Sequence, residues 1–324
     1  MRANNEINEE ESLQKIINPI VSIGIFEDDS FDQSFSPKKE KDSNSKNNLT
    51  KSINGSMIEM VLNFPIIDSS YNYAGNYENY VTNTLSSIIL IKKFLENQNI
   101  NLGKKFNEKI TENKNNKINN LNDKKILVLD LDETLIHSDF EGKFKLLNNY
   151  DTVINFNEDN INYSVGIYFR PGLFDFLKIV KENFDLYIYT ASTLSYCNAI
   201  INIIDPDKNI FKDILFRNDC ININNQIFIK DISIFDKIEN VIIIDNSLYS
   251  FMNQISNGIL INSFYGDKSD MELLNVMNYL IGFLSTAEDV RKINEHFFNF
   301  KSIMKEIEKN LICNVPSKNI LMNV

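Results

Sequence analysis

The sequence predicts an α/β fold, a doubly wound parallel sheet, on three observations. Short continuous apolar runs suited to strands buried on both faces recur from residue 125 onward: "KILVLD", "DLYIYTAS", "NVIIIDNS" and "NGILIN". Segments with apolar residues at helical spacing alternate with them. The three strongest runs close on polar or small residues: Asp130 and Asp132, then Thr190, Ala191 and Ser192, then Asp245 and Asn246. Alternation of this kind builds a parallel sheet, which binds ligands beyond the carboxyl ends of its strands. The three strand ends are therefore expected to converge on one site.

Each element has its own signal. "DTVINF" and "INYSVGIYF", separated by "NEDN", predict a small β-hairpin inserted after the first strand. "RPGLFDFLKIVKEN" predicts a helix burying Leu173, Phe176, Leu177 and Val180. "TLSYCNAIINII" predicts one with Leu194, Cys197 and Ile201 on its inner face. "IFKDILFRNDC" and "QIFIKDIS" read as short strand-like pieces. "SDMELLNVMNYLIGFLS" predicts a helix capped by Ser or Asp and burying Leu273, Leu274, Met277, Leu280 and Ile281. Residues 287–310 read as one further amphipathic helix.

The chain divides into an N-terminal extension (1–123), a central α/β domain (124–290) and a helical tail (291–324). Within the extension, 27–56 and 104–125 are rich in Asn, Lys and Ser without apolar periodicity, which predicts disorder. Ser36-Pro37 is a dipeptide of the proline-directed phosphorylation type. A helix is expected near 82–98, with Leu85, Ile88, Ile89 and Leu95 on one face docking on the main domain or on a partner.

Composition narrows the chemistry. A net charge of −11 over 324 residues argues against direct nucleic-acid binding, although one cationic pocket would admit an anionic substrate. Three scattered cysteines build no disulfide framework or zinc site, and none opens a Cys-x5-Arg loop. Two histidines disfavour His-based metal cages and Ser-His-Asp catalysis. No apolar run approaches the ~18 residues of a membrane span, and the acidic start fits neither a secretory signal nor an Arg-rich presequence. An intracellular protein, nuclear or cytoplasmic, is expected, with its chemistry resting on carboxylates.

Period two along an extended backbone puts Asp130 and Asp132 on one side, so that one carboxylate can attack while the other moves a proton. Asp245 and Asn246 add oxygen donors, a set that favours Mg²⁺. Attack on a phosphoryl group by a carboxylate meets repulsion of roughly 4 kcal/mol per charge pair at ~4 Å and an effective dielectric of ~20, which a cation offsets. Thr190 and Lys230 are of the types that hold phosphate oxygens. Taken singly, these residues read as a surface carboxylate pair, a helix cap, a solvated lysine and a turn; their joint placement at strand ends is what points to a site.

Together "DLDETLIHS", "RPGLFDFL", "YTAS", "FIKDIS" and "VIIIDNS", continued by "NSFYGDKSDMELL", resemble the FCP/SCP-type phosphatases (NIF-domain) of the haloacid dehalogenase superfamily, the small C-terminal-domain phosphatase and Dullard-like branch. The resemblance covers about 125–290 and implies a haloacid-dehalogenase-like sheet. It implies that Asp130 is the nucleophile that becomes an aspartyl phosphate, and that Asp132 protonates the leaving hydroxyl and then activates water. It implies that Thr134 supports the loop, that Thr190 and Lys230 bind phosphoryl oxygens, and that Asp130, the Asp132 carbonyl and Asn246 ligate Mg²⁺ with Asp245 assisting. Arg217 falls near the family's substrate groove. The hairpin matches an insertion that builds a pocket, with Phe140, Phe156 and Val165 as candidate walls. Two departures stand out: Leu248 replaces a proline behind the metal loop, and Thr193 replaces a leucine, giving the pocket a polar wall. The implied substrate is a phosphoserine or phosphothreonine protein such as the tail of RNA polymerase II. A non-catalytic binding module of the same fold and a small-metabolite phosphatase are the alternatives.

Overall fold

The computed structural model describes residues 77–97, 124–140, 149–223 and 226–313. The expected disordered stretches, apart from Lys124 and Lys125, and the Ser36-Pro37 dipeptide lie outside these residues.

Five parallel strands form the central sheet: β1 (Lys125–Leu129), β5 (Phe184–Tyr189), β6 (Phe211–Leu215), β9 (Val241–Asp245) and β10 (Gly258–Leu260). Their order is β10-β9-β1-β5-β6, so the chain leaves β1 first toward one edge and later toward the other. That reversal beside β1 is the switch point at which open α/β sheets take their ligands. The register aligns the three strand ends. Leu129 lies opposite Ile188 and Ile244, and the Asp130 amide donates to the Ile244 carbonyl at 3.0 Å.

Alternation along the strands explains why they are apolar throughout. Leu127 and Leu129 of β1 join Leu186, Ile188, Ile242 and Ile244 in one buried cluster. Ile126 and Val128 join Tyr187, Tyr189, Val241 and Ile243 in a second. Both faces are thus covered. Helices α2 (Leu173–Asn183), α3 (Leu194–Ile204) and α4 (Glu272–Tyr279) close the first face. α2 starts after Gly172, whose φ of 78° lies in the left-handed region that glycine enters without steric cost, and buries the four residues its spacing predicts.

The second face is closed by segments from both ends of the described chain. Helix α1 (Tyr77–Asn97) buries Leu85, Ile88, Ile89 and Leu95 as the stripe predicts, starting five residues ahead of the expected 82. Tyr80, Val81, Leu85 and Ile88 share their cluster with Phe300 of α6 (Phe300–Cys313), and Lys92 Nζ donates to the Met252 carbonyl at 2.7 Å.

Four expectations are corrected. Leu194 is 45 % exposed, because it begins α3 at its protruding first turn; Tyr196, Ile200 and Ile204 take the inner face with Cys197 and Ile201. Leu274 is 42 % exposed, because α4 buries Leu273, Val276 and Tyr279, one residue's rotation away. The tail is two helices, α5 (Val290–Phe298) and α6, broken where Asn299 takes φ 56°. The inserted hairpin, β3 (Thr152–Glu158) and β4 (Ile161–Phe169), gains a third strand, β2 (Ile136–Asp139), paired antiparallel to β4. "IHSD" is short and mixed in polarity, so its pairing with β4 escapes a periodicity test. A small hairpin of β7 (Ile221–Ile223) and β8 (Ile227–Ile229) precedes Lys230.

Candidate active site

Asp130, Asp132, Thr190, Lys230, Asp245 and Asn246 all line one cleft of about 640 Å³ at the carboxyl ends of β1, β5 and β9. Leu131, between the two aspartates, is fully buried, as period two requires. Beyond Asp132 the chain turns through Glu133 at φ 55°, a left-handed conformation uncommon for a residue with a side chain. The turn is pinned by the Phe264 amide on the Glu133 carbonyl at 2.8 Å.

Asp130 and Asp132 have different shells. The Asp130 carboxylate accepts from Lys230 Nζ through Oδ1 and from Thr134 Oγ1 at 3.1 Å through Oδ2. Lys230 is 2 % exposed and also pairs with Asp245 Oδ2 at 2.6 Å. Burial works against the Lys230 ammonium, but the charges of Asp130 and Asp245 outweigh it and raise its pKa above the ordinary lysine range. Asp132 instead accepts from three hydroxyls: Ser192 Oγ, Tyr196 OH and, at 3.4 Å, Ser138 Oγ. Burial, with the charge of Glu133 next, pushes its carboxyl up to about 7, against the pull of Ser192 and Tyr196. Burial and then the Asp132 charge raise the Tyr196 phenol, which stays a donor. The pair thus offers a carboxylate beside a cation and a carboxyl able to carry a proton near neutrality.

The oxygen donors suit a magnesium ion. Thr134 Oγ1 lies 3.1 Å from Asp130 Oδ2 and 3.4 Å from Asn246 Oδ1, so a carboxylate and an amide oxygen face one small volume. Asn246 is oriented by donating from Nδ2 to Ser263 Oγ at 3.0 Å. Among the described residues no cluster of three or more His, Cys, Asp or Glu could hold a metal ion. One or two carboxylates with neutral oxygens, leaving room for water and phosphate, is the set Mg²⁺ takes.

The remaining expected residues divide. Thr190 Oγ1 accepts from the Ser192 amide at 3.0 Å, and its own amide is tied to Leu215 of β6 at 2.9 Å. Arg217 is exposed at the rim, with Nε donating to the Ala191 carbonyl at 2.6 Å and its guanidinium over the Phe228 ring. Phe140, Phe156 and Thr193 line the cleft. Val165 does not: at 1 % exposure it points from β4 into the core, because strand alternation turns it inward. Leu248 is fully buried in the second-face cluster, an apolar anchor behind Asn246.

Sequence reasoning missed Tyr196, whose hydroxyl meets Asp132 and Ser138, because a tyrosine inside an apolar helix reads as core. It also missed Arg170. That buried side chain donates to the Thr134 carbonyl at 3.0 Å and the Asn262 carbonyl at 2.7 Å and makes a bidentate pair with Asp270 at 2.9 and 2.8 Å. It holds the Thr134 turn against the loop after β10. A buried Arg in "FRPG" with Asp270 a hundred residues away leaves no local signal.

The sequence profile described as NLI interacting factor-like phosphatase matches residues 125–291. CTD small phosphatase-like protein 3 of Caenorhabditis elegans is 36 % identical over 176 residues, 54 % of this chain and 60 % of that protein. CTD nuclear envelope phosphatase 1B of Danio rerio is 34 % identical over 183 residues, 55 % of this chain and 74 % of that protein. The solved structure of Fcp1, an essential RNA polymerase II CTD phosphatase, aligns with 59 % of this chain and 66 % of its own at 20 % identity and a TM-score of 0.38. Among the described residues no helix is long and apolar enough to cross a membrane.

Proposed function

This chain belongs to the NLI interacting factor-like phosphatase family, and from that premise we propose that it is a Mg²⁺-dependent protein serine/threonine phosphatase acting through an aspartyl phosphate on Asp130. The observation that carries this reading is the contrast between the two aspartates in one cleft: Asp130 lies against Lys230, and Asp132 lies against hydroxyls with its carboxyl raised to about 7.

Asp130 attacks the phosphorus in line, and the bond from phosphorus to the serine or threonine oxygen breaks. Asp132 gives its proton to that leaving oxygen. The resulting Asp132 carboxylate takes a proton from a water molecule, whose oxygen attacks the aspartyl phosphate, releasing inorganic phosphate and restoring both groups. Lys230 and the Thr190 hydroxyl hold phosphoryl oxygens as charge shifts toward them. Asp130, the Asp132 carbonyl and Asn246 would hold Mg²⁺, which when bound supplies positive charge against the repulsion between carboxylate and phosphate. The broad open cleft favours a protein chain as substrate over a small metabolite, which would need a cap to enclose it.

The test is turnover of a phosphoserine peptide and of an aryl phosphate with and without Mg²⁺, beside covalent labelling of the protein. Hydrolysis that stops on chelation, and acid-trapped phosphate on Asp130 that accumulates in Asp132→Asn, are expected. Full hydrolysis by Asp130→Asn would falsify the mechanism.

A further inference from the structure

The wall of the cleft on the hairpin side has a composition that the phosphoryl chemistry leaves unexplained. It is aromatic: Phe156 stacks on Tyr163 at 5.1 Å between centroids, and Tyr196 packs edge-on against Phe156 at 5.6 Å and tilted against Phe140 at 5.4 Å. Set into this wall, also lining the cleft, is the carboxylate of Glu158, at the end of β3.

Glu158 is held in place. Thr193 Oγ1 donates to Glu158 Oε2 at 2.6 Å. Thr193 occupies the N-cap of α3, where a threonine hydroxyl ordinarily accepts from an amide of the first turn, yet it makes no such bond. The hydroxyl is committed to orienting the carboxylate instead. Among the described residues Glu158 Oε1 has no partner and no cation pairs with Glu158. A carboxylate oxygen left open beside stacked ring faces lacks what would match both: a flat or compact cation.

We propose that Glu158 is a specificity-determining residue, and that this wall receives an arginine or lysine side chain of the substrate close in sequence to the phosphorylated serine or threonine. The inference rests on the protein-phosphatase reading above. Proximity follows from the chain: Thr193 directly follows Ser192, which bonds Asp132, so the wall begins one residue from the serine that holds the proton-transfer group. Arginine fits better than lysine, because its planar guanidinium stacks on a ring while its N–H fork meets the carboxylate. An acidic neighbour would meet Glu158 and, farther round the cleft, Glu133, so substrates with acidic residues there are disfavoured.

The experiment compares three phosphoserine peptides, identical except for Arg, Leu or Glu at the positions flanking the phosphoserine, on wild type, Glu158→Gln and Glu158→Leu. Each variant's aryl-phosphate rate serves as its reference for folding. Wild type is expected to favour the Arg over the Leu peptide by about 5- to 20-fold in kcat/KM, mostly through KM, with the Glu peptide slowest. In Glu158→Gln the Arg-to-Leu ratio is expected to fall to about one, and in Glu158→Leu to invert. Equal turnover of the Arg and Leu peptides by wild type, or an Arg preference that survives in Glu158→Gln, overturns the proposal while leaving the phosphatase reading intact. Should no peptide be hydrolysed, affinities of the same peptides for wild type decide it separately: an Arg preference lost in Glu158→Gln upholds the assignment, and its absence overturns it.

Discussion

Asp130 and Asp132 stand two residues apart on one strand end, yet the fold surrounds them differently. Asp130 meets a buried ammonium and a threonine, supplied by the segment after β8 and the turn after β1. Among the described residues Asp132 accepts side-chain hydrogen bonds only from hydroxyls, supplied by the loop after β5, by α3 and by β2. Sequence chemistry gives both the same functional group; what differs is which neighbouring strand end faces each. Two positions beyond the end of β1 become two environments because the segment after β8 reaches Asp130, while the loop after β5 and α3 reach Asp132.

The largest effect separates the two directly. Asp130→Asn should lower aryl-phosphate turnover by about 10⁴-fold or more, since no nucleophile remains. Asp132→Asn should cost about 10²- to 10³-fold, the range of general acid–base loss, with phosphate trapped on the protein only in the second. Equal losses without trapping would break the distinction. Next, Lys230→Ala should remove the cation between Asp130 and Asp245. It should lower stability by about 3–5 kcal/mol in denaturant melts run with chelator, the cost of breaking a buried ion pair. On the other side, Tyr196→Phe should reduce kcat by about tenfold with KM nearly constant and melt within about 1 kcal/mol of wild type, because one hydroxyl is lost and no charge is stranded. A stability loss as large as that of Lys230→Ala would show the hydroxyl side to be equally structural.

The smallest effect uses thiols. Cys197 lies under the Asp132 side, and burial, followed by the charges of Asp132 and Asp130, pushes its thiol up to about 12. A raised pKa keeps the thiol protonated through neutral pH, so the thiolate appears only as pH approaches 12. Alkylation of native protein at pH 8 should therefore leave Cys197 unmodified by mass spectrometry, with modification only after unfolding.

Much of this was legible because it depends on local patterns. Strand burial, the helix stripe of α2, and the polar residues ending β1, β5 and β9 each follow from a few consecutive side chains. The Arg170–Asp270 clasp and the Ser192 and Tyr196 hydroxyls at Asp132 join residues 60 to 100 positions apart, the pairing of Ile126 with Val241 spans more, and pairings of that range leave no trace in a window. Leu194 and Leu274 depart from their expected burial for a different reason. Their helices begin near them, and a stripe read over one turn fixes its centre only to within a residue. Val165 shows the opposite error: placing a pocket wall by resemblance ignored the pleat that turns it inward.

The meeting of α1 with α6 has a consequence for what counts as the unit of this protein. The family match runs from 125 to 291, so both of these helices, which cover the second face of the sheet, lie wholly outside it. Tyr187, Phe235 and Phe251 share their cluster with these helices and would lose apolar cover if the chain were trimmed to the matched span. Inheritance and cooperative folding therefore have different boundaries here. A cut between residues 98 and 123 would leave α1 bound by its buried side chains, each worth roughly 1.5–3 kcal/mol, and by the Lys92 bond to the Met252 carbonyl, a fragment able to complement the remainder without a covalent link.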